Sequence, residues 1–305
     1  MQREIARVPG KFTGFGPKVL SFFVALSPIF LRTRGAVFHR GPDIRVDGIW
    51  LPLNLPEYAG VLSRQRHATT SLNHHKDGEG ALVTSYNGPM IHEVIAVGPL
   101  QCNCSIIGDE ATREAMVIDP GDDIEDVLAL IRKHNLQVKQ IVITHAHIDH
   151  VGGAMKLRAA TGAPILLNQN DYALLKMLDV QATWIGVPPP GAVEIDHSLQ
   201  SGETVTAGSL SAGVLHTPGH TEGSICLYFP VENKLVAGDT LFAGSIGRTD
   251  LPGGDHATIL RSLARTLTLP DATVVLPGHG PTTTIGDERQ TNPFLTGLMP
   301  AKKGM

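Results

Sequence analysis

The residues best suited to chemistry lie in one short run, Thr144-His145-Ala146-His147-Ile148-Asp149-His150. Four potential metal donors fall within six residues, where the β-branched run Gln140 to Thr144 gives way to a helix. Alternation puts His145 and His147 on one side of the turn. Asp149 and His150 then face a second point, so the segment offers nitrogen donors for one ion and a carboxylate-plus-imidazole pair for another. Three later strand ends supply complements: His216-Thr217-Pro218-Gly219-His220, Ala237-Gly238-Asp239-Thr240 and Leu276-Pro277-Gly278-His279-Gly280. The sharp Pro-Gly turn favours His220 over His216 for completing a three-histidine site, and leaves His216 a structural role. Asp239 has two oxygens with which to bridge two cations, and His279 completes the second site. Mixed nitrogen and oxygen donors suit two divalent ions, zinc foremost, with iron and manganese also accommodated.

The rest of the chain must position these groups. Its 305 residues, 42% hydrophobic and 18% charged, exclude a wholly disordered or collagen-like chain. With 25 Lys+Arg against 29 Asp+Glu, a net of −4, it is poorly suited to holding nucleic acid by its phosphates. Three cysteines exclude a disulfide scaffold and point to a reducing, cytoplasmic compartment. The 14 histidines and 33 glycines point to loops built around metal ions. No apolar run is long enough to span a membrane; the nearest, Val19 to Leu31, is short and carries Pro28. Basic residues dominate up to residue 42, opposed only by Glu4. That bias has features of a secretory signal and of an organelle transit peptide, although Leu31-Arg32-Thr33-Arg34 is not a small-residue cleavage site. Residues 41–89 lack a sustained period and read as irregular. We therefore expect an N-terminal extension over 1–89 and a catalytic domain over 90–305.

From Met90 strand-forming segments recur: Met90 to Val97, Cys102 to Ile107 and Ala115 to Ile118. A helix from about Asp123 to His134 carries Ile124, Val127, Leu128 and Ile131 on one face. Further strands are expected at Ile165 to Leu167, Ser211 to Leu215, Ser224 to Phe229, Lys234 to Ala237 and Thr273 to Leu276, with helices near 153–160, 171–180 and 256–267. A β-rich half with helices occurs twice, before and after about residue 195. Two sheets packed face to face with helices outside, a four-layer αββα sandwich of the α/β class, accommodate this pattern.

The His145–His150 segment, the later His, Asp and His at strand ends and the twofold layout resemble the metallo-β-lactamase superfamily. The resemblance covers residues 90 to about 290. It implies that His145, His147 and His220 hold one metal, that Asp149, His150 and His279 hold another, and that Asp239 bridges both. Leu241-Phe242-Ala243-Gly244-Ser245-Ile246-Gly247-Arg248-Thr249-Asp250 and the Leu251 to Asp255 segment resemble the glyoxalase II-like hydrolases, as does His279-Gly280-Pro281-Thr282-Thr283. The compact bacterial type is the nearer match, because the longer type adds a basic C-terminal helical region and only 26 residues follow His279. The implied reaction is hydrolysis of an S-2-hydroxyacylglutathione thioester, such as S-lactoylglutathione, by hydroxide held between two cations. In it Asp149 and Asp239 orient the nucleophile and balance charge. The partner is then a small-molecule glutathione thioester, in keeping with methylglyoxal detoxification. Gly247-Arg248-Thr249-Asp250 also resembles persulfide dioxygenases, which implies a single iron and oxygen as cosubstrate.

Four further residues carry open alternatives. Arg248, on a Gly-flanked loop, suits either a clamp on a glutathione carboxylate or an internal pair with Asp250 or Asp255. Asp119 suits either a helix N-terminal residue, the favoured reading, or a partner that orients a ligating histidine. Cys102 and Cys104, two apart on a strand, share a face and read as small core residues.

Overall fold

The computed structural model describes residues 90–296 and, before them, the backbone pairing of four short strands at 43–46, 49–52, 68–74 and 80–86. The segment with targeting features, residues 1–42, and the apolar stretch within it lie outside the described residues. The chain divides into two compact units, Met1–Arg66 and His67–Met305. In the first, β1 (Asp43–Val46) and β2 (Ile49–Pro52) pair antiparallel.

Two sheets organise the second unit. One contains β3 (Ala68–His74), β4 (Gly80–Tyr86), β5 (Met90–Val97), β6 (Cys102–Asp109), β7 (Glu114–Ile118), β8 (Gln137–Val142), β9 (Ile165–Leu167) and β10 (His197–Ser198), in the spatial order β10-β9-β8-β7-β6-β5-β4-β3. From β7 to β10 the pairing is parallel, with a helix in each of the first two crossovers: α1 (Ile124–Lys133), then α2 (Ile148–Val151) with α3 (Ala154–Thr161). Helices α4 (Tyr172–Leu175) and α5 (Leu178–Ile185) lie between β9 and β10. The other sheet takes β11 (Thr204–Ala207), β12 (Leu210–His216), β13 (Ile225–Phe229), β14 (Lys234–Gly238), β17 (Val274–Pro277) and β18 (Thr283–Thr284), in that spatial order. Between β14 and β17 come a small hairpin, β15 (Leu241–Phe242) with β16 (Ser245–Ile246), and α6 (His256–Thr266); α7 (Ile285–Thr291) follows β18.

Side-chain alternation assigns each strand two faces. On β7, Met116 and Ile118 join a buried cluster with Val214, Leu227, Val236 and Leu276 of the second sheet, which is the interface between the sheets. Their neighbours Ala115 and Val117 pack instead with Val127, Leu130 and Ile131 of α1 and Leu157 of α3. In the second sheet, Cys226, Leu235 and Val275 turn the other way, onto Ile259 and Leu263 of α6 and Ile285 of α7. Helix, sheet, sheet, helix is therefore the layer order, the αββα sandwich expected from the pattern. In the first sheet, strand pairing starts at Ala68, whereas residues 41–89 read as irregular in the sequence. The strands β3 and β4 read ATTSLNH and GALVTSY, too polar for a two-residue apolar period to stand out.

Asp109, at the end of β6, ties the two sheets together. One carboxylate oxygen accepts from Ala111 N and Thr112 N in its own turn, and the other accepts from Ser209 N in the β11–β12 turn. The Ser209 and Thr112 hydrogen bonds hold its carboxyl well below the usual range. Because the folded-state value is depressed, this stabilisation is present above the unfolded value near pH 4 and fades as pH falls toward the folded one. We expect Asp109→Ala to cost about 2 kcal/mol at pH 7, from lost hydrogen bonds to a charged acceptor. In urea titrations the gap to wild type should narrow below about pH 4; a gap independent of pH would show the carboxylate charge to be irrelevant.

Candidate metal centre

The proposed donors sit on loops leaving the strand ends of both sheets. His145 to His150 follow β8 in the first sheet; His220, Asp239 and His279 follow β12, β14 and β17 in the second. Backbone hydrogen bonds bring these ends together: Ile225 N donates to Thr144 O at 2.9 Å, and Gly278 N donates to Gly238 O at 2.8 Å. Asn103 of β6 reaches across to the His279 turn, its backbone N donating to Gly278 O at 2.7 Å and its Nδ2 to Pro277 O and Gly280 O at 3.0 and 2.9 Å. Thr217 and Thr240 share a buried 2.9 Å hydrogen bond that joins the His220 loop to the Asp239 loop.

Three imidazole nitrogens converge at the first point. His145 Nε2, His147 Nδ1 and His220 Nε2 lie 3.0 to 3.2 Å from one another. Burial keeps His145 well below the ordinary histidine range, and burial together with His220 pushes His147 down to about 3. His145 and His147 are thus held neutral, the electronic state in which imidazole binds metal. The far nitrogen of His220, Nδ1, donates to Arg248 O at 2.8 Å, which turns its Nε2 toward the cluster.

Acidic donors dominate the second point. His279 Nε2 lies 3.1 Å from Asp149 Oδ2 and 3.8 Å from Asp239 Oδ2, while His150 Nε2 lies 3.4 Å from Asp239 Oδ1 and 3.7 Å from Asp149 Oδ2. Asp239 Oδ2 is also 3.6 Å from His220 Nε2, so this one carboxylate borders both points. Burial acts to raise both carboxyls, but His150 and His279 outweigh it, setting Asp149 at about 2 and Asp239 well below the carboxylate range. Burial acts to lower His150 and His279; Cys102 and Asp239 at His150, and Asp239 and Asp149 at His279, outweigh it and raise them. His150 Nε2 and Asp239 Oδ1 are buried without a hydrogen-bond partner, as donors reserved for a cation would be. Three-donor groups suited to an ion include His145, His147 and His220, and also His145, His150 and Asp239. The residues fit a metal-ion centre.

Asp119 corrects the sequence reading, which favoured a helix N-terminal role. Its Oδ2 accepts from His150 Nδ1 at 2.9 Å and from Thr144 Oγ1 at 2.7 Å, and Thr144 Oγ1 in turn lies 3.2 Å from His145 Nδ1. A single buried carboxylate thus orients one histidine at each point, directly or through a hydroxyl. Cys102 and Cys104 do share a buried face, but Cys102 Sγ also lies 3.5 Å from His150 Nδ1. His216 stays out of the cluster, its Nε2 bonded to Glu222 O at 2.9 Å. The Arg248 fork holds both oxygens of Asp250 at 2.7 Å, the internal pair rather than the free clamp, while Asp255 caps α6 through Thr258 N. Two residues carry no motif and escaped the sequence reading. Asp171 and Gln181 bond to the backbone of the His145–His150 loop. An acid four residues beyond a buried strand is a faint signal for Asp171; Gln181 has none.

A family model described as the Metallo-beta-lactamase superfamily matches residues 97–279. The chain belongs to the metallo-β-lactamase superfamily. It is 39% identical over 206 residues to hydroxyacylglutathione hydrolase GloC of Haemophilus influenzae, spanning 67% of this chain and 97% of that one. Among solved structures, BLEG-1 B3 metallo-beta-lactamase is 38% identical with a TM-score of 0.64, covering 68% of this chain and 100% of that chain. TTHA1623 in a di-iron-bound form is 40% identical with a TM-score of 0.62, covering 66% and 99%. Membership of the metallo-β-lactamase superfamily accounts for the sandwich, for the donor loops at one edge and for a metal-dependent enzyme. It leaves the substrate open, because the same fold carries different chemistries. Among the described residues, no helix is long and apolar enough to cross a membrane.

Proposed function

We propose that this protein is a dinuclear metallohydrolase that cleaves S-2-hydroxyacylglutathione thioesters to a 2-hydroxy acid and glutathione. The observation that carries the reading is the convergence of seven donors into a three-histidine point and an acidic second point, joined by Asp239. In this reading His145, His147 and His220 hold the first cation, Asp149, His150 and His279 the second, and Asp239 both. When bound, two divalent cations supply a nucleophile at neutral pH and polarise a carbonyl oxygen. The carboxylates of Asp149 and Asp239 face the same space from two loops, placed to accept a hydrogen bond from the attacking water and to orient it. Half-buried Phe242, with its ring centroid 6.4 Å from that of His279, borders the acidic point. The Arg248–Asp250 pair fixes the loop whose carbonyl orients His220; release of Asp250 would free the guanidinium for a glutathione carboxylate.

Support for a thioester comes from the Leu241–Asp255 and His279–Thr283 segments and from the likeness to GloC. Zinc fits the donors, and so does iron, the metal in the TTHA1623 structure. The test pairs metal analysis with turnover of S-lactoylglutathione. We expect about two equivalents of metal per chain, thioester hydrolysis, and loss of both after dialysis against EDTA, with recovery on adding zinc, iron or manganese. One iron per chain, with oxygen consumption on glutathione persulfide and no thioester cleavage, would establish the persulfide dioxygenase reading instead. Hydrolysis of a β-lactam without thioester cleavage would also overturn the proposal.

A further inference from the structure

Asp171 is fully buried in the short 3₁₀ turn Gln169–Asp171 that follows β9, and it reaches both loops of the three-histidine cluster. Its Oδ2 accepts at 2.9 Å from Ala146 N, the amide between His145 and His147. The same oxygen accepts from Thr221 Oγ1 at 2.8 Å, one residue beyond His220, and Oδ1 accepts from Gly223 N at 2.6 Å. Gln181 of α5 closes the grip: its Oε1 accepts from Ile148 N at 2.9 Å, and its Nε2 donates to Ala146 O at 3.3 Å. The segment between β9 and β10 therefore holds the histidine loops by their backbone.

We propose that Asp171 is a positioning residue for the first metal ion, setting the separation between the His145–His147 pair and His220 without touching the ion. The inference rests on the three-histidine cluster being a metal site. Two of its three partners are backbone N–H groups that only an acceptor satisfies, and each is bound by a different carboxylate oxygen. Asparagine has nearly the same volume but one acceptor oxygen. Its NH₂ group would face one of those N–H donors, so one loop is released and a buried negative charge is lost. Asp171 bonds the backbone between His145 and His147 and beside His220, while Asp149 and His150 lie in the following helical turn and His279 on a separate turn, so the second point should be perturbed less than the first.

The experiment measures zinc binding to the full chain by chelator competition, together with the absorption bands of the cobalt-loaded protein. His147→Ala and His279→Ala serve as references that identify the first and second sites. Asp171→Asn should weaken the first site about 10- to 100-fold and shift its cobalt bands, while the second site stays within about twofold of wild type. Thr221→Val, which removes one of the three bonds and keeps the charge, should shift the same site in the same direction by less, and it decides the matter if Asp171→Asn does not fold. Unchanged zinc affinity with a lower melting temperature, or equal loss at both sites, would overturn the proposal. A His147→Ala variant that still binds two equivalents would overturn the metal-site reading beneath it.

Discussion

Asp239→Ala should abolish thioester hydrolysis while leaving the sandwich folded. Asp239 borders His150, His279 and His220 at 3.4, 3.8 and 3.6 Å, so its carboxylate lies between the two donor points. Removing it deletes a donor from both points at once. Disturbing a ligand's hydrogen-bond partner costs about 10- to 100-fold in affinity or activity, and loss of a shared donor should exceed that range. We expect kcat/KM to fall by more than about 100-fold, with metal content reduced and the far-ultraviolet circular dichroism unchanged. The layers of the fold are held by the three apolar clusters, none of which includes Asp239. Retention of wild-type turnover would remove Asp239 from the chemistry. A wild-type protein whose metal raises its melting temperature, but which turns over no thioester, persulfide or β-lactam, would make the centre structural.

Gly278→Ala should be nearly as severe, although it adds a single methyl group. A Cβ at this position would lie 2.2 Å from Asp239 Oδ1 and 2.7 Å from His150 Cε1, far inside contact distance. The backbone has no easy way to retreat, because Gly278 N is bonded to Gly238 O and Gly278 O to Asn103 N. The methyl must instead displace Asp239 or His150, two donors of the acidic point. A misplacement near 1 Å costs on the order of 100-fold in rate, and overpacking costs about 1–3 kcal/mol of stability. Metal analysis should show the loss of about one equivalent, from the second point. Two full equivalents with normal kcat would show that the loop adapts and that the close approach has no consequence.

Much of the fold was legible because buried strands and helices advertise their faces. The alternation of Ala115, Met116, Val117 and Ile118 between two clusters, and the Ile124, Val127 and Ile131 stripe of α1, are periodic signals carried by adjacent residues. Strands β3 and β4 were missed because their pairing is not matched by an apolar period. The donor candidates stood out for another reason: histidines and aspartates recur beside the ends of β8, β12, β14 and β17, although Asp109 and His216 hold strand-end positions without joining the cluster. Asp119 was visible as a residue but not in its role, since its partners His150 and Thr144 lie 31 and 25 positions away.

The sequence by itself determined which side chains are available as donors, their local spacing and the alternation that builds two apolar sheets. Only the tertiary structure decided which loops meet. Asn103 holds the His279 turn across a separation of 174 residues, Asp171 joins Ala146 to Gly223, and Arg248 turns to Asp250 rather than Asp255. Such contacts depend on how two sheets stack and where their loops emerge. A periodic pattern reports which face of an element is buried, but not which distant backbone amide will lie opposite a given carboxylate.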